Sequence, residues 1–241
     1  LKNRIGRILI PLLPFNRRTF DILRHEVNAI GVRIANFLSL PHRRIVRDLQ
    51  SASGLSINLG SGGKGLESWV NVEMRRSGDT VLVLDVRRPL PFSDASARRV
   101  LAEHVLEHMD FRTDALNLAK EVYRVLEPGG TFRVIVPDCK KFLEAYVEGE
   151  PEKWRLLGWD LEAMPADIYS PMHIVNHVLH QEGEHLFGYD FETLSWLLRN
   201  AGFKVISEMA YQESLDTELA IDQANHASYS LYVDAVREDT K

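Results

Sequence analysis

Four ionisable side chains follow the apolar run Arg99–Ala102 and could carry out acid–base chemistry. They are Glu103, His104, Glu107 and His108. An imidazole exchanges protons near neutral pH, so His104 is the first candidate for a general base. Glu107 and His108 stand just beyond it, where hydrogen bonding that orients the loop is a sufficient role.

Asp138 and His185 are alternative candidates for the base. Asp138 follows the apolar run Thr131–Val136, and it could equally cap a helix that begins at Cys139. His185 lies in a segment, residues 139–190, that is rich in histidine and tryptophan. We expect this segment to be a helical insertion that forms a lid or wall of the pocket, because loops placed after strand ends commonly do so.

Three further histidines of that segment have helical spacing. His173, His177 and His180 stand at i, i+4 and i+7 and would share one helix face. Such imidazoles could bind a transition metal or surround a sugar with hydrogen-bonding groups, and they could equally be ordinary residues of a polar face. The spacing matches no known metal-binding pattern such as H-E-x-x-H, so no metal site is predicted.

A glycine cluster ends the apolar run Ile57–Leu59. Gly60, Gly62 and Gly65 satisfy the pattern G-x-G-x-x-G, which lets a nucleotide approach the backbone closely. A dinucleotide fold requires a full helix after the glycines and an acidic residue about 20 positions on, whereas Glu73 follows after one short apolar run. The spacing therefore disfavours a nicotinamide oxidoreductase, which stays an alternative, and a phosphate-binding P-loop is excluded.

Helical and apolar patterns alternate along the chain, which predicts an α/β fold with a mostly parallel sheet. The predicted helices are Phe20–Asn36 and Arg43–Gln50, broken by Pro41, then Asp114–Leu126, ended by Pro128-Gly129-Gly130, and Phe191–Asn200, capped by Gly202. The predicted strands are Leu55–Leu59, Val70–Val72, Val81–Leu84, Arg99–Ala102, Thr131–Val136, Lys204–Ser207 and Tyr229–Val236.

Composition and charge limit the classes of protein. The 241 residues contain 45% hydrophobic and 26% charged side chains, which excludes a disordered or low-complexity chain. Residues 1–54 carry a charge of +7 and the remainder −12. No apolar run is long enough to span a membrane, although Arg4, Arg7, Arg17 and Arg18 around the run 8–15 could hold an anionic membrane surface.

Cys139 is the only cysteine, so no internal disulfide can form. Since no signal-peptide pattern is present either, a cytoplasmic location is expected.

Five motifs in order resemble one family. They are Gly60-Ser61-Gly62, Trp69-Val70-Asn71-Val72-Glu73, the stretch from Asp85 to Phe92, His104-Val105-Leu106-Glu107-His108, and the stretch from Arg124 to Gly130. Together they resemble the class I S-adenosylmethionine-dependent methyltransferases, in particular the type 11 group and predicted methyltransferases found among bacterial surface-polysaccharide genes. The resemblance covers residues 55–138 and resumes more weakly at 191–203. Ser61 and Glu103 replace the cysteine and serine that are familiar at those positions.

The resemblance implies a fold and a cofactor site. The fold would be a Rossmann-like, doubly wound, mostly parallel seven-stranded sheet, with N-terminal helices over 1–54 and a catalytic domain over 55–241. S-adenosylmethionine would be the cofactor. Glu73 would accept hydrogen bonds from the ribose hydroxyls and Asp85 from the adenine amino group, with the backbone N–H of Val86 near the ring. Gly60, Ser61, Gly62 and Glu103 would complete the cofactor-binding set.

The implied activity is methyl transfer to a small acceptor, with a hydroxyl of a sugar or glycoconjugate as the expected acceptor. His104, Asp138 and His185 are the candidate catalytic residues. A cofactor-binding module without turnover, acting through the basic N-terminal helices on a membrane or a partner, is an alternative. Nucleic acid is not expected as a partner because the catalytic domain is acidic. The sequence leaves a homodimer open.

Overall fold

Two helices precede the sheet in this computed structural model, which describes residues 17–63 and 65–238. Helix α1 is Arg17–Leu38 and helix α2 is Leu40–Gln50. Ser39 separates them and caps α2, since its hydroxyl accepts a hydrogen bond from the backbone of His42. The predicted break is confirmed, with Pro41 in the first turn of α2, where a missing N–H costs nothing. The predicted basic segment around residues 8–15 lies outside the described residues, as do the side chains of Arg17 and Arg18.

The described residues form one seven-stranded sheet in the order β3-β2-β1-β4-β5-β7-β6. Strand β7 is antiparallel to both of its neighbours, and the other pairs are parallel. The strands are β1 Leu55–Leu59, β2 Val70–Glu73, β3 Leu82–Val83, β4 Ala97–Glu103, β5 Leu126–Pro137, β6 Val205–Met209 and β7 Ser230–Val236. All seven predicted strands are present, and the predicted Rossmann-like, mostly parallel fold is confirmed.

The largest boundary error concerns β5. A strand beginning at Thr131 was predicted, but β5 begins at Leu126, directly after α3 Leu116–Val125, which follows a single π turn at Phe111–Ala115. Residues 128–130 therefore lie within the strand. The pairing of β5 with β4 shifts register at this point, so the glycines form an irregularity in the strand and do not cap the helix.

Helices and loops cover the two faces of the sheet separately. Alternate residues of β4 enter different apolar clusters: Val100 packs with α3 and α7 (Phe191–Ala201), whereas Leu101 packs with Leu219 and the loops before β7. The predicted helical insertion is present as α4 Cys139–Glu148, α5 Pro151–Leu156 and α6 Pro171–His180. These three helices share a smaller core of their own around Trp154.

The direction in which the chain adds strands to the sheet reverses at β1. From β1 the chain builds β2 and β3 on one side and then crosses to β4 and β5 on the other. Ligands of open α/β sheets bind at the carboxyl ends of the strands at such a switch point. The loops after β1 and β4, which begin at Gly60 and His104, both leave the sheet there.

A buried ionic network fixes the loops that precede β7. The fully buried Arg133 of β5 donates hydrogen bonds to Asp222 at 2.7 Å and to Asp234 of β7 at 2.8 Å. Backbone N–H groups of Gln212 and Leu215 complete the two carboxylates, each at 2.7 Å. The network therefore holds the 210–222 segment on the sheet.

We expect Arg133→Met to lower the free energy of unfolding by about 3–5 kcal/mol, because it leaves two buried carboxylates without their cation. Chemical denaturation followed by circular dichroism measures this change. Arg155→Met is the matched control, since Arg155 is exposed and lies 3.4 Å from Glu152; its effect should be below about 1 kcal/mol. Equal effects of the two changes would contradict the assigned role of the network.

An apolar surface of α1 is exposed to solvent. Its exposed side chains include Ile22, Val27, Ile30, Ile34 and Phe37. None of the helices among the described residues is long and apolar enough to cross a membrane. Contact of the N-terminal helices with a membrane surface or a partner stays a prediction.

Candidate active site

The glycine loop packs directly against the loop that carries His104. Gly60 has a φ of +66°, and a Cβ placed on it would lie 2.5 Å from Cγ2 of Val105. Only glycine fits this position, for both its backbone conformation and its neighbour. Gly62 has a φ of +57° with open space around it. The loops after β1 and β4 thus meet at the switch point.

Ser61 and Glu73 stand beside the glycines. The Ser61 backbone donates to Val72 at 3.1 Å, but its hydroxyl is buried and has no hydrogen-bond partner among the described residues. The half-buried Glu73 carboxylate accepts hydrogen bonds from Gly62 at 3.0 Å and Met74 at 2.7 Å. A buried hydroxyl without a partner is costly, so this crevice has the polar character of a ligand site.

Asp85 is held by two arginines. Its side chain is buried and accepts hydrogen bonds from Arg87, the closest at 3.0 Å, and from Arg33 of α1. Burial alone would raise the pKa of Asp85, but the hydrogen bonds from Arg87 and Arg33 outweigh it and lower the pKa to about 2. This depressed pKa contributes stability that is present above about pH 4 and is lost as the pH falls through about 2. Both oxygens of the carboxylate that was predicted to face adenine therefore already accept hydrogen bonds from these arginines. Val86, predicted beside the ring, is half-buried.

Glu103 belongs to a pair that the sequence analysis missed. Its carboxylate lies 3.0 Å from Nδ1 of His226 and accepts from the side chain of Gln223 at 3.1 Å. With Nδ1 of His226 bonded to a carboxylate, Nε2 has no hydrogen-bond partner among the described residues. A carboxylate at Nδ1 fixes the tautomer in which Nε2 can accept a proton. Glu103, predicted at the cofactor, is instead committed to this histidine.

His104 lies beside His226 in a strained backbone conformation. Its φ is +53°, which is unusual for a residue with a side chain, and its ring centroid is 4.0 Å from that of His226. Nδ1 of His104 lies 3.0 Å from the Glu107 carboxylate, and Nε2 lies 3.1 Å from the buried hydroxyl of Ser230. Both nitrogens of the predicted base therefore have neighbours.

A cavity of about 520 Å³ opens beside these histidines. His104, His177, His185 and His226 line it together with the aromatic rings of Phe142, Trp159 and Tyr229. The walls come from the β4 loop, the predicted insertion and the loop before β7. Side chains of the insertion thus form part of the cavity wall, and a role of residues 139–190 as a lid stays a prediction.

His185 is buried at the edge of the cavity. Burial lowers its pKa, so the ring is neutral at physiological pH. Its Nδ1 lies 2.6 Å from the carbonyl of Val178, and its ring stacks edge-on with His108 at 4.9 Å. His108 lies 3.0 Å from the carbonyl of Glu184, which matches its predicted role in orienting the loop.

The other predicted residues take structural positions. Asp138 caps α4 by accepting from the Lys140 backbone at 3.1 Å, and it is not among the residues that line the cavity. His177 lines the cavity beside Trp159, whereas His173 contacts Tyr169. His180 is exposed.

His226 gave no signal in the sequence beyond being a histidine. It lies in a turn-rich segment before the last strand, more than 100 residues from Glu103. The two residues are far apart in sequence, so no local pattern predicts their pairing. It depends on the insertion of β7 between β5 and β6.

Comparisons with known proteins add a family match. Residues 67–134 match the model of a methyltransferase domain. The match runs from the approach to β2 into β5 and includes Glu73, Asp85, Glu103 and His104. No curated protein matches the chain.

Several solved structures show similarity to this chain at low sequence identity. One is an S-adenosylmethionine-dependent methyltransferase from Thermotoga maritima, 18% identical, with a TM-score of 0.45, covering 90% of this chain and 96% of that chain. Another is the Burkholderia thailandensis 1,6-didemethyltoxoflavin-N1-methyltransferase, 13% identical, with a TM-score of 0.48, covering 94% of this chain and 92% of that chain. A third, from Mesorhizobium loti, is 18% identical with a TM-score of 0.45 and covers 83% of this chain and 99% of that chain.

Proposed function

We propose that the chain transfers a methyl group from S-adenosylmethionine to a hydroxyl group of a small acceptor, with a sugar or glycoconjugate as the preferred class. The observation that carries the proposal is the contact between two loops. Gly60 packs on Val105, the neighbour of His104, so a cofactor crevice after β1 adjoins a cavity lined by imidazoles. The matched methyltransferase domain over residues 67–134 supports the same reaction.

The residues of the crevice suit the cofactor. Ser61 offers a buried hydroxyl that has no partner among the described residues, and Gly60 and Gly62 leave the strand end free of side chains. Glu73 stands at the end of β2, where its carboxylate can accept from two hydroxyls of a ribose. When bound, S-adenosylmethionine supplies an electrophilic methyl group. A nicotinamide cofactor is disfavoured because no helix follows the glycines directly and Glu73 comes too early.

Methylation of a hydroxyl requires that its proton be removed. His226 lines the cavity, its Nε2 has no hydrogen-bond partner among the described residues and can accept the proton, and Glu103 stabilises the imidazolium that results. His104, oriented by Glu107, is the second candidate, but its Nε2 would first have to leave Ser230. We therefore assign His226 as the base and His104 as the residue that positions it through ring contact.

The cavity wall favours a saccharide. The rings of Trp159 and Tyr229 offer flat apolar surfaces, while Gln181, Asn225 and Ser228 offer hydrogen-bonding groups. Sugars present both kinds of surface, because their C–H faces stack on aromatic rings and their hydroxyls need polar partners.

Calorimetry with S-adenosylmethionine and with NAD tests the cofactor, and transfer of a labelled methyl group to a panel of saccharides and small alcohols tests the reaction. The expected result is binding of S-adenosylmethionine alone and transfer to at least one hydroxyl acceptor. Binding of NAD in preference would overturn the proposal. Cofactor binding with transfer only to amines would overturn the assigned acceptor class.

We expect Glu73→Ala to weaken binding of S-adenosylmethionine by about 1–3 kcal/mol, because it removes the carboxylate that accepts hydrogen bonds from the ribose. Titration calorimetry measures the change. Glu67→Ala is the control, since Glu67 is an exposed carboxylate in the same loop region. If both variants bind like the parent chain, the ribose lies elsewhere.

A further inference from the structure

Glu107, His108 and His185 bring three potential metal ligands together. One ligand atom from each residue lies within 4.8 Å of the other two. Within residues 17–63 and 65–238 this is the group that meets such a criterion, and the helical histidines His173 and His180 are not part of it. Glu107 and His185 are buried, whereas His108 is exposed.

The Glu107 carboxylate lacks hydrogen-bond donors. The residue is 1% exposed, and neither carboxylate oxygen accepts a hydrogen bond from the described residues. Nδ1 of His104 lies 3.0 Å from Oε1 but outside hydrogen-bond geometry. A buried carboxylate without donors is costly unless a cation compensates it.

Both histidines are oriented as metal ligands usually are. Nδ1 of His108 lies 3.0 Å from the Glu184 carbonyl, and Nδ1 of His185 lies 2.6 Å from the Val178 carbonyl. A carbonyl accepts only from a protonated nitrogen, so in the neutral form of each ring Nε2 carries the lone pair that can bind a metal. Ligating histidines typically donate their other N–H to a carbonyl or carboxylate in this way.

The backbone fixes the three side chains relative to one another. The carbonyl of Glu107 accepts hydrogen bonds from Leu186 at 2.7 Å and Phe187 at 3.2 Å. These bonds tie the residue after His185 to the turn that carries Glu107 and His108. The cluster is therefore held in place without an ion.

We propose that Glu107, His108 and His185 bind one divalent transition-metal ion, through the carboxylate and the Nε2 atoms of both histidines. Two imidazoles and a carboxylate suit Zn²⁺, Fe²⁺, Mn²⁺ or Co²⁺. Three protein ligands leave coordination positions open, and His108 and His185 both line the cavity. An acceptor oxygen could therefore bind the ion, a consequence that rests on the proposed function. The site replaces the sequence expectation of no metal.

Metal binding is tested on the full chain in the absence of S-adenosylmethionine, so that its outcome is independent of the methyl-transfer proposal. Protein treated with a chelator and then dialysed is titrated with Co²⁺ by visible absorption and with Zn²⁺ by calorimetry. We expect one ion per chain. His108→Ala, at an exposed position, should weaken binding by at least about 10–100-fold. His180→Ala, an exposed histidine of α6 outside the cluster, should bind like the parent chain.

Glu107→Gln gives a second test and should also weaken binding at least about tenfold, since an amide is a poorer ligand than a carboxylate. Thermal unfolding in chelator establishes that each variant is folded, and if Glu107→Gln does not fold, His108→Ala decides alone. The proposal is wrong if the parent chain binds neither ion, or if His108→Ala binds as tightly as His180→Ala. It is also wrong if binding is lost on changing His173 or His177 instead.

Discussion

Replacing His226 by alanine is expected to lower methyl transfer by about 10²–10⁴-fold and to leave the affinity for S-adenosylmethionine nearly unchanged. The variant loses an imidazole whose Nδ1 faces the Glu103 carboxylate and whose Nε2 has no hydrogen-bond partner among the described residues. The side-chain hydrogen bond and ring contacts of His226 are with Glu103, His104 and Tyr229, so cofactor binding should survive. Single-turnover kinetics and calorimetry separate the two quantities.

The companion variants distinguish the base from its neighbours. Glu103→Gln should slow transfer in the same direction, because the imidazolium loses its counter-charge. His104→Ala should cost less than His226→Ala. The rate of the parent chain should fall on acidification, since a protonated ring cannot accept a proton. If His104→Ala abolishes transfer and His226→Ala does not, the base is His104. If transfer is lost only on changing Asp138 or only on changing His185, that residue is the base.

Replacing Gly60 by valine is expected to abolish binding of S-adenosylmethionine. A Cβ at this position would lie 2.5 Å from Cγ2 of Val105, and the backbone there has a φ of +66°. The loop must shift to relieve the overlap, and a β-branched residue strains this conformation further. The displaced loop would no longer leave the end of β1 open to a ligand. Calorimetry on the folded variant measures the loss.

Gly149→Val is the matched control for this substitution. Gly149 also has a left-handed φ, +71°, but a Cβ on it would meet nothing within 4 Å. The control therefore separates the cost of backbone strain from that of the overlap with Val105. Normal cofactor affinity in Gly60→Val would show that the ligand binds away from this loop.

Local patterns in the sequence predicted the order of the strands in the chain and the glycine loop. Short apolar runs mark buried parallel strands, and the cap at Gly202 follows from local backbone needs. The start of β5 was predicted at Thr131 and is wrong, because the strand pairing with β4, which no local pattern reports, extends β5 back to Leu126. Asp138 was predicted either as a base or as a cap, and it caps α4.

Only part of the candidate site could be predicted from the sequence, and the reason is physical. Glu73 and His104 follow strands directly, so the sheet alone brings them to the switch point. His226 lies in the loop before β7 and Arg33 lies in α1, both far in sequence from the carboxylates to which they hydrogen-bond. These contacts depend on how the whole domain folds, so no local pattern predicts them. Glu107, His108 and His185 likewise meet because the end of the insertion bonds back to the β4 turn.

The contact between Arg33 and Asp85 would make α1 a competitor of the cofactor if adenosine binds at Asp85. If adenosine takes Asp85, as the resemblance implies, α1 must give up that carboxylate. Thermodynamic reciprocity then requires that whatever draws α1 off the sheet tightens cofactor binding by the factor with which the cofactor loosens α1. On that condition, a surface that binds the exposed apolar side chains of α1, such as Ile30 and Phe37, and draws the helix away from Asp85 would strengthen cofactor binding.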